Sequence, residues 1–314
     1  MAPKQASYMR FSIIICAYNA SATVARAIRS VFSQALPSFE LIVVNDGSED
    51  DTLAIAEKAV AECRERTNCH VPVVFVDLPE NAGLFAARKR GMSKATGDYV
   101  LFLDADDELE SHATQRLESA LAVRPVDVLG FAFRSAVEGS DETRLKKPAE
   151  RFSLEALTRG KVAQTVFARC YSLALVRRAI PHLEDRWCVM AEDVVYSIVF
   201  SALATSYATL EEPIYRYWCG GGVSTNPHLT PPERLIQLTS LVNARDMSER
   251  FVRSVRPDCL PATRAYLTRI VDQNERRILD SPYTNAAKLQ LLDYIDREFG
   301  TGYATEFRRS HPSL

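Results

Sequence analysis

A chain of 314 residues that is 47% hydrophobic and 25% charged can bury a large core, as one big domain or two modest ones, and is not composed like a disordered protein. A formal net charge of -2 excludes a whole-protein field for nucleic acid, so any bound phosphate must be held by local groups in a pocket. The seven cysteines (Cys16, Cys63, Cys69, Cys170, Cys188, Cys219 and Cys259) are odd in number and scattered, with no C-x-x-C pair or histidine at zinc spacing, and read as reduced thiols.

Basic residues stand at Lys4 and Arg10, but no apolar leader precedes the first expected strand, and no later apolar segment approaches a membrane span. The expected location is the cytoplasm, with peripheral attachment to the inner face of the membrane left open.

The β-branched run 11–16 predicts a first strand, followed by a helix with Val24, Ile28, Val31 and Phe32 on one face and Ser21 as its cap. A second strand over 40–45 ends in Asp46-Gly47-Ser48, a helix carries Leu53, Ala56 and Val60, and a third strand spans 73–76. Asn81-Ala82-Gly83 opens a helix through Leu84, Ala87 and Met92 that Gly97 closes, and the apolar run from Tyr99 leads into Asp104-Ala105-Asp106-Asp107. Alternating strands and helices predict a parallel sheet, with turns at the strands' carboxyl ends, where such sheets bind nucleotides.

Further on, the pattern predicts a helix over 113–123, a strand over 126–133 and an exposed polar loop over 138–150. Ala191-Glu192-Asp193 introduces an apolar-rich helix reaching Leu203, and 213–218 reads as a closing strand. Gly220-Gly221-Gly222 and Ser224 then suit a hinge or lid. Three helical stretches follow, 233–255, 262–279 and 285–299, as a helical appendage.

Both acidic clusters admit two readings. Carboxylates at the end of the Tyr99 strand suit Mg²⁺ or Mn²⁺, or else they cap the next helix with Asp107 and Glu108 in its first turn. Glu192 and Asp193 suit proton transfer, or plain capping of a helix N-terminus.

The motifs gain force from their order. Ser12-Ile13-Ile14-Ile15-Cys16-Ala17-Tyr18-Asn19, Val43-Val44-Asn45-Asp46-Gly47-Ser48, Asn81-Ala82-Gly83 with Ala87-Arg88, Leu103-Asp104-Ala105-Asp106-Asp107 and Glu192-Asp193 occur in one succession. This resembles the family-two inverting glycosyltransferases with the GT-A fold, of the bacterial surface-polysaccharide type, over roughly the first 225 residues. The resemblance implies an α/β fold with a Rossmann-like, mostly parallel central sheet flanked by helices. It implies a GT-A domain at 1–225, with a nucleotide-binding half at 1–107 and an acceptor half at 108–225. A helical C-terminal region at 226–314 lies outside it.

By the same resemblance, Ala17, Tyr18 and Asn19 line the nucleotide base, and Tyr18 can pack its ring on it. Asp46 accepts the base imide hydrogen, which selects uracil, although thymine would satisfy it too. An Asx turn at Asp46-Gly47 is compatible with that contact. Arg88 meets the acids or the diphosphate, and Lys89 stands where the family pattern continues with asparagine. Asp104 contacts the ribose or reaches the metal through water, Ala105 lines the nucleotide, Asp106 binds Mn²⁺ or Mg²⁺ directly, and Asp107 supports them. Asp193 is the implied general base, with Glu192 positioning the acceptor and Ser224 touching phosphate.

The chemistry asks for such groups. Negative charge develops on the departing β-phosphate, and no G-x-x-x-x-G-K loop is present to cradle it, so a metal on Asp106 supplies the positive charge. The acceptor hydroxyl loses its proton to a carboxylate, and attack opposite the leaving group inverts the anomeric centre. A nucleoside diphosphate sugar, most simply a UDP-sugar, is the expected donor, and a glycan or lipid-linked saccharide the expected acceptor.

Two rival readings are weighed against this one. A nucleotidyltransferase would carry a glycine-rich, basic loop after its first strand, and Ala17-Tyr18-Asn19-Ala20-Ser21 is neither. A non-catalytic sugar-binding module on the same scaffold should have lost Asp106 or Asp193, and both are present. The donor sugar and the choice between UDP and dTDP stay open. In the tail, Tyr266, Arg269, Arg276 and Arg277 face either solvent, a membrane or a second copy of the chain.

Overall fold

A computed structural model describes residues 9–34, 38–68, 70–137, 139–140, 142–219 and 229–311. Its N-terminal half is the parallel set β3 (Val73–Asp77), β2 (Phe39–Asn45), β1 (Phe11–Ala17) and β4 (Tyr99–Asp104), hydrogen-bonded in that order. The residues of β1 and β2 are almost all buried, as strands covered on both faces must be, which is why their sequences read as unbroken apolar runs. Register sets Ala17 beside Asn45, Asn45 beside Asp77 and Cys16 beside Asp104. Every motif that ends one of these strands therefore emerges on one edge of the sheet.

Beyond β4 the sheet turns mixed. β8 (Arg169–Ser172) pairs antiparallel with β4 and with β6 (Val128–Val137). β9 (Tyr207–Cys219) runs parallel to β6 with a register shift near Ala132, and β5 (Glu108–Leu109) pairs antiparallel with β9. The polar stretch expected to be a loop instead contains β7 (Thr143–Lys146), antiparallel to β6. All four of its side chains are exposed, so no apolar alternation betrayed it.

Two cores lie on the two sheet faces. Ile13, Ile15, Leu41, Val43, Leu101 and Leu103 pack under α1 (Val24–Phe32), α2 (Thr52–Thr67) and α4 (Ala113–Val123). Ile14, Ile42, Val44, Val100 and Phe102 face the other way, into α3 (Leu84–Lys94) and α7 (Glu192–Leu203). The short α5 (Leu154–Thr158) and α6 (Leu173–Ala179) join the second core through Leu154, Leu157, Leu175 and Val176.

The tail comprises α8 (Pro231–Val255), α9 (Leu260–Leu279), α10 (Asn285–Phe299) and α11 (Tyr303–Ser310), the last not foreseen from the sequence. Leu238, Leu241, Phe251 and Val252 of α8 enter the same core as Val195 and Val199 of α7. Each such side chain contributes about 1.5–3 kcal/mol on burial, so α8 helps to fix α7 and the acids at its start. Tyr266 is buried with its hydroxyl donating to Gln164 Oε1 at 2.8 Å, and Arg269 donates to the Thr158 carbonyl. Tyr266 is turned to the body of the protein, whereas Arg269, Arg276 and Arg277 are exposed. Among the described residues, no helix is long and apolar enough to cross a membrane.

Two expected helix ends move. Ser21 does not cap α1; its amide donates to Asp50 at 3.2 Å and the helix starts after Thr23. α3 stops at Lys94, and Gly97 serves a close approach, its amide meeting Ser12 Oγ at 2.9 Å where an added Cβ would meet the Arg10 carbonyl at 2.6 Å.

Candidate active site

The loops at the sheet edge are latched to one another. Asn19, in the left-handed region at φ 48°, donates its amide to Ser48 Oγ at 3.0 Å and accepts from the Glu49 amide at 2.9 Å. Tyr18 beside it is 44% exposed, with its ring free to take a base. Asp46 is buried and accepts from the Ala82 amide at 2.9 Å, so it bridges to the loop before α3 and does not close an Asx turn of its own. Gly47, at φ 67°, permits this, because a Cβ there would strike the Glu80 backbone. Burial raises the Asp46 carboxyl above its ordinary range, against the pull of the Ala82 and Gly83 amides.

Arg88 is the hub of the second cluster. It is 2% exposed and donates to Asp104 Oδ1 at 2.8 Å, Asp193 Oδ1 at 2.5 Å and Glu192 Oε1 at 3.3 Å. Asp104 ends β4 and the other two begin α7, so one guanidinium ties the strand-end acids to the helix-start acids. α3 is held for this by the Phe85 amide on the Cys188 carbonyl at 3.1 Å and by the Tyr196 hydroxyl on the Phe85 carbonyl at 2.7 Å. Ala191, at φ 63°, turns the chain sharply into α7, a backbone conformation that is uncommon for a residue with a side chain and that aims both acids inward.

Capping alone does not account for these acids. Burial and the neighbouring Asp193 push the Glu192 carboxyl up to about 8, and burial raises Asp193 against the pull of Arg88. The Val166 backbone also pulls the Asp193 carboxyl down. Carboxylates raised by burial beside a fixed cation are suited to taking a proton near neutral pH.

The three acids after β4 divide their tasks. Asp104 is committed to Arg88. Asp107 is fully buried and is no helix cap, since Glu108 lies in β5; it accepts from the Tyr215 hydroxyl at 2.6 Å and the Trp218 amide at 2.7 Å. Burial pushes its carboxyl up to about 8. Tyr215 in turn accepts from the Asp104 amide at 3.1 Å, so Asp107 and Tyr215 lock the acidic loop to β9. The sequence shows 213–218 as an aromatic strand but gives no sign of this pairing.

Asp106 is left, partly buried, with its carboxyl raised by burial and by Asp104. Arg26 donates to its backbone carbonyl at 2.6 Å, not to its side chain. Among the described residues, no group of three His, Cys, Asp or Glu side chains is arranged to hold a metal ion. A single spare carboxylate in acidic surroundings fits a hard cation whose other ligands are substrate phosphates and water. Ala105, between them, is buried against the core. Ser224 and the glycines 220–222 lie outside the described residues.

A parallel four-stranded half, a mixed half and acids meeting across their junction are the architecture of a glycosyltransferase of the GT-A class. Residues 12–182, more than half of the chain, match the model for Glycosyl transferase family 2, and the chain belongs to that family. It is 39% identical over 225 residues to the uncharacterized glycosyltransferase YibD of Escherichia coli K12, covering 67% of this chain and 61% of that one. It is 26% identical over 231 residues to the uncharacterized glycosyltransferase alr2836 of Nostoc, covering 71% and 67%. The structure of Staphylococcus aureus TarS 1–349 in complex with UDP-GlcNAc shares the fold at TM-score 0.58 and 19% identity, covering 97% of this chain and 92% of that one. The chain thus spans about two thirds or less of the lengths of these curated relatives.

Proposed function

We propose that this chain is a metal-dependent inverting glycosyltransferase that moves a hexosyl or N-acetylhexosaminyl group from a nucleoside diphosphate, most simply UDP, to a hydroxyl of a glycan or lipid-linked acceptor. The observation that supports the reading is Arg88, which spans Asp104 and Asp193 and so ties the acids that end β4 to those that begin α7. The UDP-GlcNAc complex of TarS, a protein of the same fold, supports the choice of UDP.

In this mechanism Tyr18 stacks on the base and Asp46 accepts its imide hydrogen. Asp104 stands near the ribose, and Asp106 holds Mn²⁺ or Mg²⁺. The ion, when bound, neutralises charge developing on the departing phosphate. Asp193 Oδ takes the proton of the acceptor hydroxyl as its oxygen attacks the anomeric carbon opposite the diphosphate, which inverts the centre. Arg88 orients that carboxylate throughout, and Glu192 lies beside the incoming alcohol.

UDP titrations with and without Mn²⁺ test the donor side. Wild type should bind UDP about tenfold or more tighter with Mn²⁺, and Asp106→Ala should lose that gain while keeping the metal-free affinity. Mn²⁺ stimulation retained in Asp106→Ala would remove the metal role, and no UDP binding by wild type would remove the donor reading.

A further inference from the structure

The acceptor half holds a second pocket, which the transfer chemistry above does not use. It is a cavity of about 190 Å³ bounded by β6, by residues 147–149 and by the segment 161–169. At about 30 Å³ per water that is space for roughly six waters, enough for a tetrahedral oxyanion with part of its hydration. Tyr207 forms one wall by lying over Gly130, where any Cβ would collide with its ring, and its hydroxyl is tied to the Ala149 carbonyl at 2.7 Å.

The lining contains Lys147, Lys161 and Arg169 and, among the described residues, no aspartate or glutamate. In a chain of net charge -2 this is a local concentration of cations. Arg169 is 4% exposed, lies over the Phe152 ring at 4.5 Å and donates to the Ala163 carbonyl at 2.6 Å and to the Thr165 carbonyl. Among the described residues, neither Arg169 nor Lys161 is paired with a carboxylate; Lys147 pairs at 3.2 Å with the exposed Glu211. A buried guanidinium compensated by carbonyl dipoles and a ring face, with no carboxylate, gains from an anion brought to it.

The same segment reaches the proposed base. The backbone at Val166, beside Thr165, draws the Asp193 carboxyl down, and the Gln164 carbonyl accepts from Ser197 Oγ on α7 at 2.9 Å. A group seated on Arg169 and Lys161 is therefore anchored to the loop that holds Asp193.

We propose that this pocket binds a phosphate group, mono- or diester, carried by the acceptor, and that the enzyme acts on a phosphate-bearing acceptor and not on a neutral glycan. The proposal deepens the transferase reading and rests on its placement of the acceptor on the Asp193 side. Phosphate binding itself is read without turnover, so the two can fail separately.

The test is calorimetric titration of inorganic phosphate, then of glycerol 3-phosphate, into protein whose donor site is first saturated with UDP and Mg²⁺. One further site should appear in wild type, and the charge reversal Lys161→Glu, at an exposed residue outside the donor site, should weaken it about tenfold or more with UDP affinity unchanged. Lys147→Glu should weaken it in the same direction. Absence of the site, or equal binding by wild type and both variants, overturns the proposal. Binding to vesicles containing phosphatidic acid without binding of the soluble phosphates also overturns it, by assigning the cations to a membrane-facing patch. Failure of UDP itself to bind would remove the donor reading and leave the phosphate result to stand alone.

Discussion

Asp193→Asn should leave UDP-sugar affinity near wild type and lower turnover by about 10²–10⁴-fold, the usual contribution of a positioned general base. The asparagine keeps an oxygen for Arg88, so the geometry of the cluster survives while the proton acceptor is lost. Measuring donor binding and transfer on the same preparation separates the two effects. Equal turnover by the variant would remove Asp193 from the chemistry, and lost donor binding would move it to the nucleotide side.

The pH profile of the wild-type enzyme carries the same argument. Asp193 must be unprotonated to act, and burial raises both it and Glu192, which stands at about 8. Activity should therefore fall as pH drops through a limb well above the ordinary carboxylate range of about 4. The limb belongs to the pair, not to one residue. Removing the neighbouring negative charge with Glu192→Gln should move it to lower pH.

Arg88→Met should destabilise the fold by about 3–5 kcal/mol, because it strips the cation from a buried cluster and leaves Asp104, Glu192 and Asp193 facing one another. Urea unfolding at neutral pH measures this, and a loss under about 1 kcal/mol, as for a surface pair, would contradict the hub role. The deficit should shrink in acid. A carboxylate whose folded pKa exceeds its unfolded value makes the folded state bind more protons, so its contribution to stability falls as pH rises between about 4 and the raised value. Without Arg88 those raised values climb further, and the variant recovers relative to wild type as pH falls through that window.

What the sequence made legible follows from burial. β1, β2 and β4 are covered on both faces, so apolar runs, turn residues and motif ends all marked the same edge. β8 is four residues long and begins with a buried arginine that donates to carbonyls, and β7 is exposed on every side chain; neither offers a periodic signal. The acids were visible as types but not as roles. Asp107 read as a helix cap or a metal support because its partners, Tyr215 and Trp218, lie more than a hundred residues away, and only the antiparallel pairing of β5 with β9 brings them together. For Arg88 the resemblance implied contact with the acids or the diphosphate but not which acids; its three carboxylate partners come from two separate elements that only the folded sheet joins.

Crystals grown with UDP and Mn²⁺ test the central claim most directly, through the anomalous signal of manganese together with the density of the nucleotide. The account predicts uracil against Tyr18 and Asp46 and a single manganese peak at Asp106. Nucleotide bound away from Asp46, or manganese held by groups other than Asp106, would contradict it.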